Sequence, residues 1–301
     1  MTSAPSPNIP REITLTKSDS TVPATPLSRG DIAVVVPTHN SATTLRACLE
    51  SIRAQVVPCT LIVVDSGSAD ATTEIARELA DVFIEIGPER SAKRNAGAMA
   101  TDAAIVGFID SDMVLPPEVV AEVVTAIQAG ATSVIVPERT VGEGFWADVR
   151  AYERTFYQGS DAIEAPRFFL RAVFDAVGGF DETLTGGEDW DLGIRTASCG
   201  SRVRIHATIL HHEGRVRYFD SCRKKAYYAP GVARFFAKHG SQGISMFTRR
   251  PWLKQPRALA RPLGIGLLVL KAGEASAVLV AIAGDKLGWH QHLPLPPGHT
   301  R

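Results

Sequence analysis

Apolar positions fall into two rhythms along this chain. Short runs with no polar break, at residues 32–36, 61–64 (opened by Thr60) and 103–109, end respectively at Pro37, Asp65 and Asp110. Runs apolar at every position suit strands covered on both faces. Between them, apolar side chains recur every three or four positions: Leu45, Cys48, Leu49 and Ile52, then Ile75, Ala76 and Leu79. That spacing predicts helices, the first capped by Asn40 or Ser41. Val82, Ile84 and Ile86 alternate as a further strand, and helices over about 91–100 and 117–129 with a strand over 133–136 continue the series. Strands alternating with helices predict βαβ units, an α/β class and a mainly parallel sheet. No internal repeat is visible.

Loops that follow parallel strands gather at one edge of the sheet, where such folds bind ligands. Asp110-Ser111-Asp112 puts two carboxylates there, two residues apart and on the same side. Hard oxygen ligands suit Mg²⁺ or Mn²⁺, with a pyrophosphate completing the shell; the plainer alternative is a solvated turn. Pro37-Thr38-His39-Asn40 and Asp65-Ser66-Gly67-Ser68 converge on the same edge, although Asn40 alone could be a helix cap and Asp65 a turn former. Neither GxGxxG nor GxxxxGK[ST] follows any of these strands, which excludes the usual dinucleotide and P-loop phosphate cradles. Phosphate binding then falls to a metal and to Arg90, Lys93 and Arg94 at a helix start, whose alternative is a solvated basic face. Glu188, Asp189 and Asp191 surround Trp190 after a glycine-rich turn. Three carboxylates could merely complement a helix dipole, but a general base beside a sugar-stacking aromatic accounts for all of them. Downstream, His211 could complete the Asp-x-Asp metal site through a neutral imidazole, or be a histidine without metal; no HExxH supports zinc hydrolysis.

Taken in order, these motifs resemble the family 2 glycosyltransferases of the Rossmann-like, nucleotide-diphospho-sugar transferase (GT-A) fold. The resemblance rests on residues 34–40, 63–68, 94–97 and 110–112, the Gly178-Gly179-Phe180-Asp181-Glu182 turn and residues 187–192, and spans roughly 31–230. It implies that Pro37, Thr38, Asn40, Asp65 and Gly67 hold base and ribose, with Arg90, Lys93 and Arg94 on the phosphates. By the same resemblance Asp110 and Asp112 hold a divalent cation, Mn²⁺ or Mg²⁺, with the diphosphate, and Asp112 is the direct ligand. Asp189, paired with Glu188, becomes the catalytic base, Trp190 a sugar contact and His211 a third metal ligand. Relatives carry Asn or Asp after that histidine; His212 stands there here, which leaves the choice between the two open. The implied reaction moves a sugar from a UDP- or GDP-linked donor to an acceptor hydroxyl of a lipid, glycan or small natural product, with inversion. Retaining GT-A families share most of these motifs. The alternatives are a non-catalytic sugar-nucleotide-binding module and a nucleotidyltransferase, which would release pyrophosphate.

Composition adds limits. Lysine plus arginine equal aspartate plus glutamate at 32 each in 301 residues, so no nucleic-acid footprint is present. Four scattered cysteines predict reduced thiols and a cytoplasmic setting. Residues 1–29, rich in Pro, Ser and Thr without a signal-peptide core, predict a disordered leader before a catalytic domain over 30–245. Residues 246–301 read as a helical extension. There Arg249, Arg250, Lys254, Arg257 and Arg261 precede an apolar run at 263–283 broken by Lys271 and Glu274. The two charges count against a spanning helix, and peripheral attachment to the inner face of the cell membrane is preferred to a helix packed on the catalytic domain. Oligomeric state is not legible.

Overall fold

In the computed structural model residues 28–161 and 163–286 are described, so most of the predicted leader and the end of the extension lie outside them. The elements, in chain order, are β1 (Ile32–Thr38), α1 (Ala42–Arg53), β2 (Thr60–Asp65), α2 (Thr72–Leu79), β3 (Val82–Glu85), α3 (Arg90–Met99), β4 (Ile105–Phe108) and β5 (Met113–Val114). They continue with α4 (Val119–Gln128), β6 (Ala131–Ile135), β7 (Glu138–Glu143), α5 (Phe145–Thr155), β8 (Phe168–Leu170), α6 (Arg171–Ala176), α7 (Glu188–Ala197), β9 (Ser201–Arg204) and β10 (Ile209–Arg215). Three helices close the described chain: α8 (Tyr218–Thr248), α9 (Pro256–Leu259) and α10 (Pro262–Lys286).

Seven strands form one sheet in the order β3-β2-β1-β4-β8-β6-β9. Pairing is parallel except that β8 runs antiparallel to both β4 and β6. All seven residues of β1 are buried, as the unbroken apolar run requires. Ile32, Val34 and Val36 enter one core with Leu45, Leu49 and Val120, while Ala33 and Val35 enter a second with Phe174 and Leu192. Alternate side chains thus pack under helices on both faces, giving three layers. Glycine at 97 lets α3 lie close on β1, because a Cβ there would run into the Val35 side chain. This places the basic residues of α3 over the carboxyl ends of β1 and β4.

A smaller sheet, β5-β10-β7, was not expected. It brings the strand after the Asp-x-Asp turn against β10, antiparallel, with His211 opposite Met113. His211 and His212 thus lie inside a strand that runs from Ile209 to Arg215.

The extension packs against α5 and α8. Trp252, Leu267 and Leu270 form a third apolar cluster with Val149 and Tyr157, and the Trp252 indole donates to the Tyr157 hydroxyl at 3.0 Å. The charges that interrupt the apolar run face inward: Lys271 pairs with Glu153 at 2.7 Å and with Glu274 at 2.8 Å. Leu279 and Val280, each 68% exposed, point outward. α10 is long and apolar enough to cross a membrane, yet it is held to the protein along one side.

Candidate active site

The loop after β1 is built by hydrogen bonds to the loop after β2. Asp65 is fully buried, and its carboxylate accepts from Thr38 Oγ1 at 2.8 Å, Ser68 N at 2.8 Å and Ser68 Oγ at 2.6 Å. Burial opposes its charge, but these donors prevail and hold its pKa below the ordinary value. Asn40, at φ 48°, accepts from Ala69 N through Oδ1 and donates its own N–H to Ser68 Oγ, both at 2.8 Å. Lys93 is buried too, donating from Nζ to Thr38 O at 2.8 Å and Ser66 Oγ at 2.9 Å. Burial pulls its pKa down to about 8.

These loops border a cavity of about 330 Å³ whose wall includes Pro37, Thr38, Arg90, Lys93, Asp110, Asp112, Glu188 and His211. Asp65, Asn40 and Gly67, predicted as ligand contacts, do not reach this wall; Asp65 and Asn40 shape the loops that form it. Arg94 also departs from its predicted phosphate role. It is 1% exposed and donates to Asp110 at 2.7 Å, Asp189 at 2.8 Å and Glu188 at 3.3 Å. A guanidinium so engaged positions carboxylates and has little left for a phosphate. Glu188, nearly buried, pairs with Arg90 as well.

Asp110 is held by Arg94 and, at 3.5 Å, by Arg167. Burial opposes its charge, yet the two guanidinium groups keep its carboxyl well below the carboxylate range. Asp112 differs. Its Oδ1 is buried without a hydrogen-bond partner, while Oδ2 stands 3.3 Å from His211 Nε2. Strand alternation decides between the two histidines. His211 turns toward Asp112 and lies 3.4 Å from Glu138, whereas His212 is exposed and meets Asp112 only through its backbone N–H. Burial disfavours a charged His211, but the carboxylates of Asp112 and Glu138 outweigh it and raise the pKa to about 9. A carboxylate with one unsatisfied oxygen, next to His211 and in the same cavity wall as Asp110, fits a hard divalent cation, whose binding would displace the imidazole proton. Among the described residues no three His, Cys, Asp or Glu side chains already form a metal cage, so most of the shell would come from a bound ligand's oxygens and water.

Behind the same carboxylates lies a second cavity of about 490 Å³, sharing Arg90, Asp110, Glu188 and His211 with the first. Asp189 opens onto this one, its side chain 39% exposed. The recessed position and Glu188 raise its pKa above the ordinary value against the pull of Arg94. Trp190 also faces this cavity and not the first, with its indole donating to Ile163 O at 2.8 Å. Gly187 starts α7 at φ 82°, where a Cβ would crowd Phe235. The left-handed turn delivers Glu188 and Asp189 to the junction between the cavities.

Sequence reasoning missed Glu138 and Arg167, which pair at 2.6 Å beside Asp110 and His211, and Lys224, which lines both cavities. Single charged residues on β7, before β8 and on α8 carry no local signal of convergence.

Residues 33–181 match the model for Glycosyl transferase family 2. The pre-mycofactocin glycosyltransferase of Mycobacterium tuberculosis is 30% identical over 284 residues, covering 86% of this chain and 58% of that protein. The chain therefore spans somewhat more than half the length of that relative. The succinoglycan biosynthesis protein ExoA of Rhizobium meliloti is 26% identical over 276 residues, covering 83% of this chain and 81% of that one. Among solved structures, the mannosyltransferase PcManGT of Pyrobaculum calidifontis, in complex with GDP-Man and Mn²⁺, aligns with a TM-score of 0.54 and 21% identity over 89% of this chain and 82% of that chain. TarS 1-349 of S. aureus, in complex with UDP-GlcNAc, gives 0.52 and 16% over 86% and 92%. At these identities the structures establish the fold, that of the GT-A transferases.

Proposed function

The chain belongs to glycosyl transferase family 2 through residues 33–181, and we propose that it transfers a sugar from a nucleoside-diphosphate donor, UDP- or GDP-linked, to an acceptor hydroxyl. The observation that carries this reading is the pair of cavities meeting at one carboxylate wall, with Asp112 lining the first and Asp189 the second.

The first cavity takes the donor. Pro37, Thr38 and the loop held by Asp65 receive the nucleoside, and Arg90 and Lys224 face the diphosphate. Asp112, with Asp110 and His211 beside it, would hold Mn²⁺ or Mg²⁺. When bound, the cation neutralises charge that grows on the leaving diphosphate. Asp189 accepts the proton of the acceptor hydroxyl. The new bond from that oxygen to the anomeric carbon forms as the bond to the diphosphate oxygen breaks, and the electron pair leaves with the nucleoside diphosphate. One in-line displacement inverts the anomeric centre. A raised pKa suits Asp189 to this role, since a stronger base takes the proton more readily. Arg94 fixes the base by donating to Asp189 and Asp110 together.

The outward apolar side of α10, beside exposed Arg249, Lys254, Arg257 and Arg261, supports peripheral attachment to an anionic membrane surface on the cytoplasmic side.

A thermal-shift panel of UDP- and GDP-sugars with Mn²⁺ or Mg²⁺ tests the donor. A ligand at a hundred times its dissociation constant adds about 2.7 kcal/mol. Absence of metal-dependent stabilisation by every nucleotide sugar would remove this reading.

A further inference from the structure

The second cavity differs in chemistry from the first. Phe236, Val232 and Ala229 of α8, Trp190 of α7 and Val278 of α10 give it apolar walls. Its volume, about 490 Å³, is that of a site for a whole organic molecule and exceeds what one sugar hydroxyl requires. The charges around it are nearly all spoken for: Arg90 by Glu188, Arg154 and Arg167 by Glu138, and Glu164 by Arg204. Lys225 is different. No carboxylate among the described residues lies within ion-pair distance of it, and it lines both this cavity and an adjoining one of about 220 Å³. Its side chain stays accessible through these openings, while crowding protein lowers its pKa to about 8 despite Glu274 nearby. Lys224, also on this wall and without an ion pair among the described residues, already faces the donor cavity.

We propose that the second cavity is the acceptor site and selects an apolar, hydroxyl-bearing molecule that also carries one anionic group, the apolar body lying against Trp190 and Phe236 and the anion on Lys225. This assignment rests on the transferase reading, which makes Asp189 the base, and adds the class of acceptor. A glycan would find most of the charged side chains along these walls already paired with one another. An apolar anion finds both a dry surface and an uncompensated ammonium, and Asp189 at the rim meets its hydroxyl.

The test uses two fluorescent probes of one scaffold with the full chain: anionic 8-anilinonaphthalene-1-sulfonate and neutral N-phenyl-1-naphthylamine. The unaltered protein should bind the anionic probe more tightly. Lys225→Ala should weaken the anionic probe about tenfold, the scale of one charge-assisted hydrogen bond, and leave the neutral probe unchanged. Val232→Trp, which fills the cavity, should abolish both. Leu279→Ser, on the outer side of α10, should alter neither and thereby separates the cavity from the exposed helix face. Because an overpacked variant can fail to fold, the Lys225→Ala comparison stands independently. Equal affinity of the two probes in both the unaltered protein and Lys225→Ala would overturn the anion site, and loss of both probes in Leu279→Ser would move them to the helix surface. Nucleotide-sugar binding, measured in parallel, should persist in all variants. If the unaltered protein binds no nucleotide sugar, the transferase reading falls and the cavity ceases to be an acceptor site, even with the probe results as expected.

Discussion

Two networks of buried charge sit in this protein, and they are built to different ends. At the sheet edge, Arg94 holds Asp110, Glu188 and Asp189, while Asp112 keeps an oxygen without a partner. Between α5 and α10, Arg150, Glu153, Lys271 and Glu274 link the two helices, with Arg150 also bound to Glu213. The first network opens onto two cavities. The second is packed against the cluster of Trp252, Leu267 and Leu270 and borders a smaller cavity of about 220 Å³, away from the sheet edge. The contrast teaches that burial alone does not mark a charged group as functional. What marks it is convergence with the loops that follow the parallel strands, on space that a ligand can enter.

Substitutions should separate the two networks. The largest effect is expected from Asp189→Asn, which keeps shape and the hydrogen bond from Arg94 but cannot accept a proton. Turnover should fall by at least about 10²-fold with donor affinity nearly unchanged, read by steady-state kinetics and calorimetry. Near-normal turnover would move the base to another carboxylate.

Glu274→Ala should act on stability. Its loss removes a buried partner of Lys271, which retains Glu153. A cost of roughly 2 kcal/mol follows, under the range for a buried charge left with no partner, and lowers the melting temperature by roughly 4–8 °C. Turnover measured well below that transition should be little altered; an unchanged melting temperature would show that the helix pair does not depend on this charge.

Asp112→Asn should leave melting within about 0.5 kcal/mol of the parent while weakening Mn²⁺-dependent donor binding by about 10- to 100-fold. Metal-dependent binding that survives intact would assign the cation to other residues. The smallest effect is expected from Leu279→Ser with Val280→Ser, two outward side chains. Melting should not move, and flotation with anionic vesicles should drop at least about tenfold, since withdrawing even one apolar side chain from an interface is worth that much. Equal flotation would count against the membrane role of this face.

Local pattern alone determined much of this protein. Unbroken apolar runs such as residues 32–36 had to be strands buried on both faces, and three- and four-residue spacing had to be helices, because side-chain periodicity and burial are coupled within a few residues. Loops following those strands then had to meet at one edge, so Thr38, Asp110 and Asp112 were legible as neighbours before any coordinates. Long-range contacts decided the rest. β8 is three residues long, too short for periodicity to reveal that it runs antiparallel between two other strands. Only the pairing of β10 with β5 distinguishes His211 from His212, since a one-residue shift would turn the other imidazole toward Asp112. Arg94 read as a phosphate ligand because three carboxylates that occupy it lie 16, 94 and 95 positions away. The inward turn of Lys271 and Glu274 was hidden for the same reason: a charge in an apolar run takes its meaning from what the opposite helix presents, and that is fixed by tertiary packing.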